Sequence, residues 1–179
     1  MNSSASCEKS DSLNSIFLQI LKNLYVECIS ERCQQQGSNI KVNKPSHITS
    51  WIVFQFQSQQ CKQKVLKYGK SHDCYIYVQK SNQNREQILI VELKSKRKLK
   101  KGLEQLQNGL FLLENTIKDH LQINRCLLIV QLILGCKGSR EVSIMKKKIT
   151  FEKLTFFDRP IVINLIQANI NNAIEINLL

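Results

Sequence analysis

The chain has 179 residues, with 26 Lys and Arg against 14 Asp and Glu, for a net charge of +12. That length holds one domain with a proper core, and the charge favours an anionic partner, nucleic acid ahead of an acidic membrane. Aromatic residues, at 7%, are too few for a broad base-stacking platform, and the longest apolar run, Leu127 to Leu134, is far too short to span a bilayer.

Met1 to Asp11 is polar and Ser-rich without an apolar signal core, and reads as a disordered lead to a single domain over 12–179. Seven cysteines fall at 7, 28, 33, 61, 74, 126 and 136 with no Cys-x-x-Cys pair. Most sit beside apolar residues, as small core hydrophobes do, and the plain reading is a reducing, intracellular or cytoplasmic compartment. The three His residues are scattered, which argues against a zinc cluster.

Leu13, Ile16, Phe17, Ile20, Leu21, Leu24 and Cys28 form a seam that predicts a first helix over about 12–32, capped by Ser12 or Asp11. Gln34 to Ser38 ends it, and 47–56, around Trp51-Ile52-Val53-Phe54, reads as a strand. Lys62 to Lys70 is basic, with Lys64-Val65-Leu66 as a further short strand. Then come two apolar runs of strand length, 74–78 and 88–93, separated by the wholly polar Lys80 to Glu86, which is a hairpin signal. A turn centred near Asn82 and Gln83 pairs positions that sum to 165, so Asp73 lies opposite Glu92. By strand alternation Asp73, Tyr75, Tyr77, Ile88, Ile90, Glu92 and Lys94 share one face. Directly opposed Cβ atoms are about 4.5–5.5 Å apart, and two carboxylates that close call for a shared proton or a bound cation. Hard oxygen donors suit Mg²⁺, and Lys94 stands beside the pair to serve a water or a pentavalent phosphate.

Leu99, Leu103, Leu106, Leu110, Leu113, Ile117 and Leu121 then predict a long amphipathic helix. Gln105 falls on the edge of that stripe beside Gly102 and Gly109. Each glycine costs about 1 kcal/mol relative to Ala inside a helix, so a close approach is expected there, of a strand or of a phosphodiester. Lys98, Lys100 and Lys101 crowd the helix start against the macrodipole, a poor choice for stability but a good one for phosphate. Arg125 to Leu134 reads as a buried strand and Gly135 to Ser139 as a loop. Val142 to Phe151 suggests an interrupted strand carrying the Lys146-Lys147-Lys148 run, and Ile161-Val162-Ile163 a last strand. The tail from Ala168 fits helix or strand equally. The order helix, strands, helix, strand gives an α/β fold with a central mixed sheet flanked by helices.

Asp73, the Glu92-x-Lys94 pair and the Gln105-bearing helix together resemble the PD-(D/E)xK nuclease superfamily, with its restriction-endonuclease-like fold. The likeness covers residues 65–115, and His72 stands where the family name has Pro. It implies that Asp73 and Glu92, with the carbonyl of Leu93, bind Mg²⁺ (Mn²⁺ able to substitute), and that Lys94 serves the attacking water with Gln105 beside it. The archaeal-type Holliday-junction resolvases in that superfamily also carry a Glu on the first helix; Glu27 is the better match and Glu31 its rival. Lys70, Lys96, Arg97, Lys98, Lys100 and Lys101 are expected to meet phosphates. The expected activity is Mg²⁺-dependent endonucleolytic hydrolysis of DNA, with a homodimer for cutting both strands. The alternative is a catalytically silent nucleic-acid-binding or assembly module on the same fold. A membrane-surface factor is disfavoured, because no basic helix has a broad aromatic face.

Overall fold

The computed structural model describes residues 15–35, 39–46, 48, 50–65, 72–79, 86–94, 99–120, 128–137, 154–161, 163–169, 171–176 and 178. The expected disordered lead, the turn over 80–85, the Lys146 to Lys148 run and the strand suggested at Val142 to Phe151 lie outside them, as do Lys70, Lys96, Arg97 and Lys98.

Helix α1 (Ile16–Tyr25) starts at Ser15, whose Oγ accepts the Leu18 N–H at 3.1 Å. Phe17, Leu21 and Tyr25 repeat every four residues and are buried. The helix stops earlier than the seam predicts. A 3-10 turn (Val26–Cys28) leads into β1 (Ile29–Ser30), which pairs antiparallel with β3 (Ser50–Gln55) through Ile29 and Phe54. Pairing with a sheet edge here overrides the helical period, and the β-branched Val26 and Ile29 resist that override least. Between these strands lies β2 (Lys41–Val42).

The expected strand at Lys64 to Leu66 is instead the end of helix α2 (Gln59–Val65). Ser58 Oγ accepts the Cys61 N–H at 3.1 Å as its cap, and Cys61 and Val65, four residues apart, bury together. Strands β4 (Cys74–Gln79) and β5 (Glu86–Lys94) form the hairpin in the expected register, with Cys74 opposite Val91 and Tyr75 opposite Ile90. Helix α3 (Leu99–Lys118) crosses over to β6 (Leu128–Cys136), which runs parallel to β5 and takes in Gly135 and Cys136, both expected in a loop. A hairpin of β7 (Leu154–Phe156) and β8 (Arg159–Ile161) precedes β9 (Ile163–Gln167), and the undecided tail supplies β10 (Ala173–Ile174), paired with β2.

The main sheet has the order β1-β3-β4-β5-β6-β9, antiparallel as far as β5 and parallel from β5 to β9. The protein is thus α/β with a central mixed sheet. The three described helices all pack on one of its faces. Tyr75, Tyr77, Ile88, Ile90, Leu132 and Leu134 face one core with the buried residues of all three helices. Cys74, Ile76, Leu89, Val91, Leu93 and Ile133 face the other, closed by Val42, Ile48, Ile174 and Ile176 around the small β2–β10 unit.

Four cysteines depart from the reading as reduced core residues: Cys28 is bridged to Cys61 and Cys33 to Cys74. Such bridges favour an oxidising over a reducing setting. Cys136 is buried at the end of β6. Among the described residues no helix is long and apolar enough to cross a membrane.

Candidate active site

The β4–β5 ladder ends at Cys74 opposite Val91, and Asp73 and Glu92 are the next residues on the two chains. The Asp73 N–H donates to Val91 O at 3.0 Å, and Asp73 O accepts from Phe56 N at 2.9 Å. The chain bends at Asp73. Its carboxylate therefore substitutes for the missing strand partner: Oδ2 accepts the Leu93 N–H at 2.8 Å. In an extended strand a residue's N–H and C=O leave by the same edge, so the Leu93 carbonyl is directed to Asp73's side as well.

Glu92 is fully buried and Lys94 almost so, and the Lys94 ammonium is ion-paired with Glu92 Oε1. The Asp73 backbone N–H also bears on the Glu92 carboxylate, and Lys94 is its one ion-pair partner among the described residues. Burial first, and the Asp73 charge second, push the Glu92 carboxyl well above the usual range, with Lys94 only partly offsetting them. Asp73 is partly exposed at the mouth of the site. Burial still raises its carboxyl to about 6, against the pull of the Leu93 N–H, Lys94, Gln57 and Lys62.

Helix α3 lies directly on this pair. A Cβ at Gly102 would come within 2.7 Å of Leu134 Cδ1 and 2.9 Å of Lys94 Cγ, with Glu92 Cγ at 3.5 Å. A Cβ at Gly109 would strike the His72 ring and reach 2.9 Å from Ile90 Cγ2. The glycine edge anticipated from the sequence is thus where the helix seats on the sheet, and the close partner is protein. Gln105, half-buried, lies along that edge between the two glycines. Lys100 and Lys101 are exposed in the first turn of α3, next to Gly102.

His72, just before Asp73, is a packing residue. It is buried, 4.1 Å from the Tyr75 ring and 5.1 Å from Phe56 between centroids. Burial lowers its pKa to about 3, so the imidazole is neutral near pH 7. Tyr75 adds a bond from its hydroxyl to Gly109 O at 2.7 Å, tying β4 to α3 beneath the site.

Asp73, Glu92, Lys94 and the Leu93 backbone are therefore brought together, with Gln105 on the helix above. Glu27 is not joined to them. Helix α1 runs toward the same end of the sheet, from Phe17 beside Tyr77 to Tyr25 beside Tyr75. Yet the Glu27 side chain is exposed and ion-paired with Lys64, which holds its carboxyl below the usual range. Its rival Glu31 is exposed beyond β1. Two residues near Asp73 escaped the sequence reading, Gln57 as a hydrogen-bond partner and Lys62 as a nearby charge. Reading Ser58 as a helix cap would have drawn attention to both.

Comparison of the chain with protein-family models, with curated proteins and with solved structures finds no match.

Proposed function

We propose that the protein is a metal-dependent phosphodiesterase of the PD-(D/E)xK type, and more particularly a Mg²⁺-dependent DNA endonuclease in which Mn²⁺ can substitute. One observation carries this reading: a half-buried carboxylate just before β4 and a buried one on β5 come together beside a buried lysine, and their charged forms are disfavoured as the site stands. A cation would relieve both.

The donor set fits Mg²⁺. No group of three or more His, Cys, Asp or Glu side chains suited to a metal occurs among the described residues. Asp73, Glu92 and the Leu93 carbonyl would hold the ion, leaving positions for water and substrate oxygen, as Mg²⁺ prefers. The Glu92 carboxylate, fully buried and with its charged form the more disfavoured by burial, is the group most in need of it. When bound, Mg²⁺ supplies Lewis acidity and a water of lowered pKa. Lys94 orients that water and offsets charge gathering on the phosphorus oxygens. Gln105 borders the same space. Lys100 and Lys101 contact the nucleic-acid backbone, together with Lys70, Lys96, Arg97 and Lys98 of the sequence reading. Cutting both strands calls for a dimer with one site per strand.

The silent-module alternative also has an observation in its favour. Lys94 already pairs with Glu92, so the site has part of its charge balance without a cation.

Cleavage of labelled DNA and RNA panels in Mg²⁺, Mn²⁺ and EDTA decides between them. Divalent-dependent cutting is expected, with Asp73→Ala at least 100-fold slower, on the order of the loss from one catalytic electrostatic contact. Equal rates for Asp73→Ala and wild type would sink the assignment, and salt-sensitive binding without cutting would favour the silent module.

A further inference from the structure

Helix α2 brings a cation to the site from the side opposite α3. Its buried edge is Cys61 and Val65, and Cys61 is tied down by the bridge to Cys28. At about 100° per residue, Lys62 and Lys64 project on opposite flanks of that edge. The Lys64 flank faces the end of α1, where Nζ donates to Leu24 O at 3.0 Å and pairs with Glu27. The Lys62 flank faces the other way. The chain entering α2 sits beside Asp73, since the Phe56 N–H donates to Asp73 O at 2.9 Å. Lys62 is exposed, and no salt bridge engages it among the described residues. Its charge is felt at the Asp73 carboxyl. On the far side of the carboxylates Gly102 seats the first turn of α3, with Lys100 and Lys101 exposed beside it.

We propose that a polynucleotide strand crosses the carboxylate pair between α2 and the first turn of α3, and that Lys62 binds its phosphate on the α2 bank. This rests on the nuclease reading for the identity of the substrate, and on the two-flank geometry of α2 for the contact. One lysine of α2 serves the fold and the other serves the substrate.

The contact is tested by fluorescence anisotropy of a labelled oligonucleotide in EDTA over a salt series, so that no chemistry is required. Lys62→Ala is expected to bind about tenfold more weakly at low salt and to lower the slope of log K against log salt by about 0.7–0.9, one phosphate's worth. Lys62→Arg keeps the slope. Lys44→Ala, which removes an exposed charge next to the β2–β10 side of the sheet, reports the effect of net charge alone. A wild-type slope in Lys62→Ala, a loss no larger than in Lys44→Ala, or no binding by the wild type would each overturn the proposal. Cleavage separates the two readings. A wild type that cuts while Lys62→Ala keeps its slope leaves the nuclease and removes the contact. A wild type that never cuts, yet shows the Lys62-dependent slope, removes the nuclease and leaves the contact.

Discussion

At the scale of single residues, three buried titratable groups at one strand end pull stability in opposite directions with pH. The raised carboxyls of Asp73, at about 6, and of Glu92 bind protons that the unfolded chain has released. The folded state thus loses stability as pH rises from about 4, the unfolded value, through each folded value. His72, lowered to about 3, does the reverse: the unfolded chain binds its proton below about 6.5, so stability rises with pH up to that point. The Asp73 and His72 slopes oppose each other between about pH 4 and 6, and Glu92 adds to the Asp73 side. Mg²⁺ is therefore expected to raise thermal stability, and by more as pH rises through about 6, because it favours the charged carboxylates. Asp73→Asn should weaken that effect by removing one of the two carboxylates. Calorimetry from about pH 5 to 7, in EDTA and in Mg²⁺, makes the measurement, and a Mg²⁺ effect that does not grow with pH would contradict the raised carboxyls.

At the scale of elements, what depended on local period was legible and what depended on distant partners was not. The hairpin register followed from the length of one polar turn, and the ladder it predicted runs as far as Cys74 opposite Val91, one residue short of Asp73 and Glu92. The glycine edge of α3 followed from the helical wheel, and it located the seat of the helix. The end of α1 did not, because β1 exists only by pairing with β3, some twenty-five residues away. Glu27 went astray with it: a residue assigned to a helix face lies in a 3-10 turn and pairs with a lysine whose own helix read as a strand. The bridges were hidden for the same reason. Their sequence separations, 33 and 41, signal nothing until β1, β3 and β4 lie side by side. Both bridges fasten the segment around β1, one to α2 and one to the start of β4, next to Asp73. Each is expected to contribute about 2–4 kcal/mol, mainly by restricting the unfolded chain. Reductant should therefore lower the denaturation midpoint, and Cys28→Ser with Cys33→Ser should reproduce the shift without it. Complete alkylation of Cys28, Cys33, Cys61 and Cys74 in folded protein without reductant would rule the bridges out.

At the scale of the whole molecule, a net charge of +12 on 179 residues has two physical readings, and salt tells them apart. A basic surface that only keeps the protein in solution repels itself. Screening then stabilises the fold as salt rises, since the Debye length shrinks to about 10 Å at 0.1 M. A basic surface built for nucleic acid gains, in addition, an affinity that falls steeply over the same range, through the counterions its phosphate contacts release. The fold concentrates cations at one place relevant to that choice: the two banks of the carboxylate pair, with Lys62 on α2 and Lys100 and Lys101 on α3. Three phosphate contacts there would weaken binding by about 40-fold between 0.05 and 0.2 M salt. The expected outcome is thus a pair of opposite trends, a Tm that rises with salt and an affinity that collapses. A rising Tm with a nearly flat affinity would return the charge to solubility alone, and would leave the buried carboxylates and Lys94 without a polyanionic substrate.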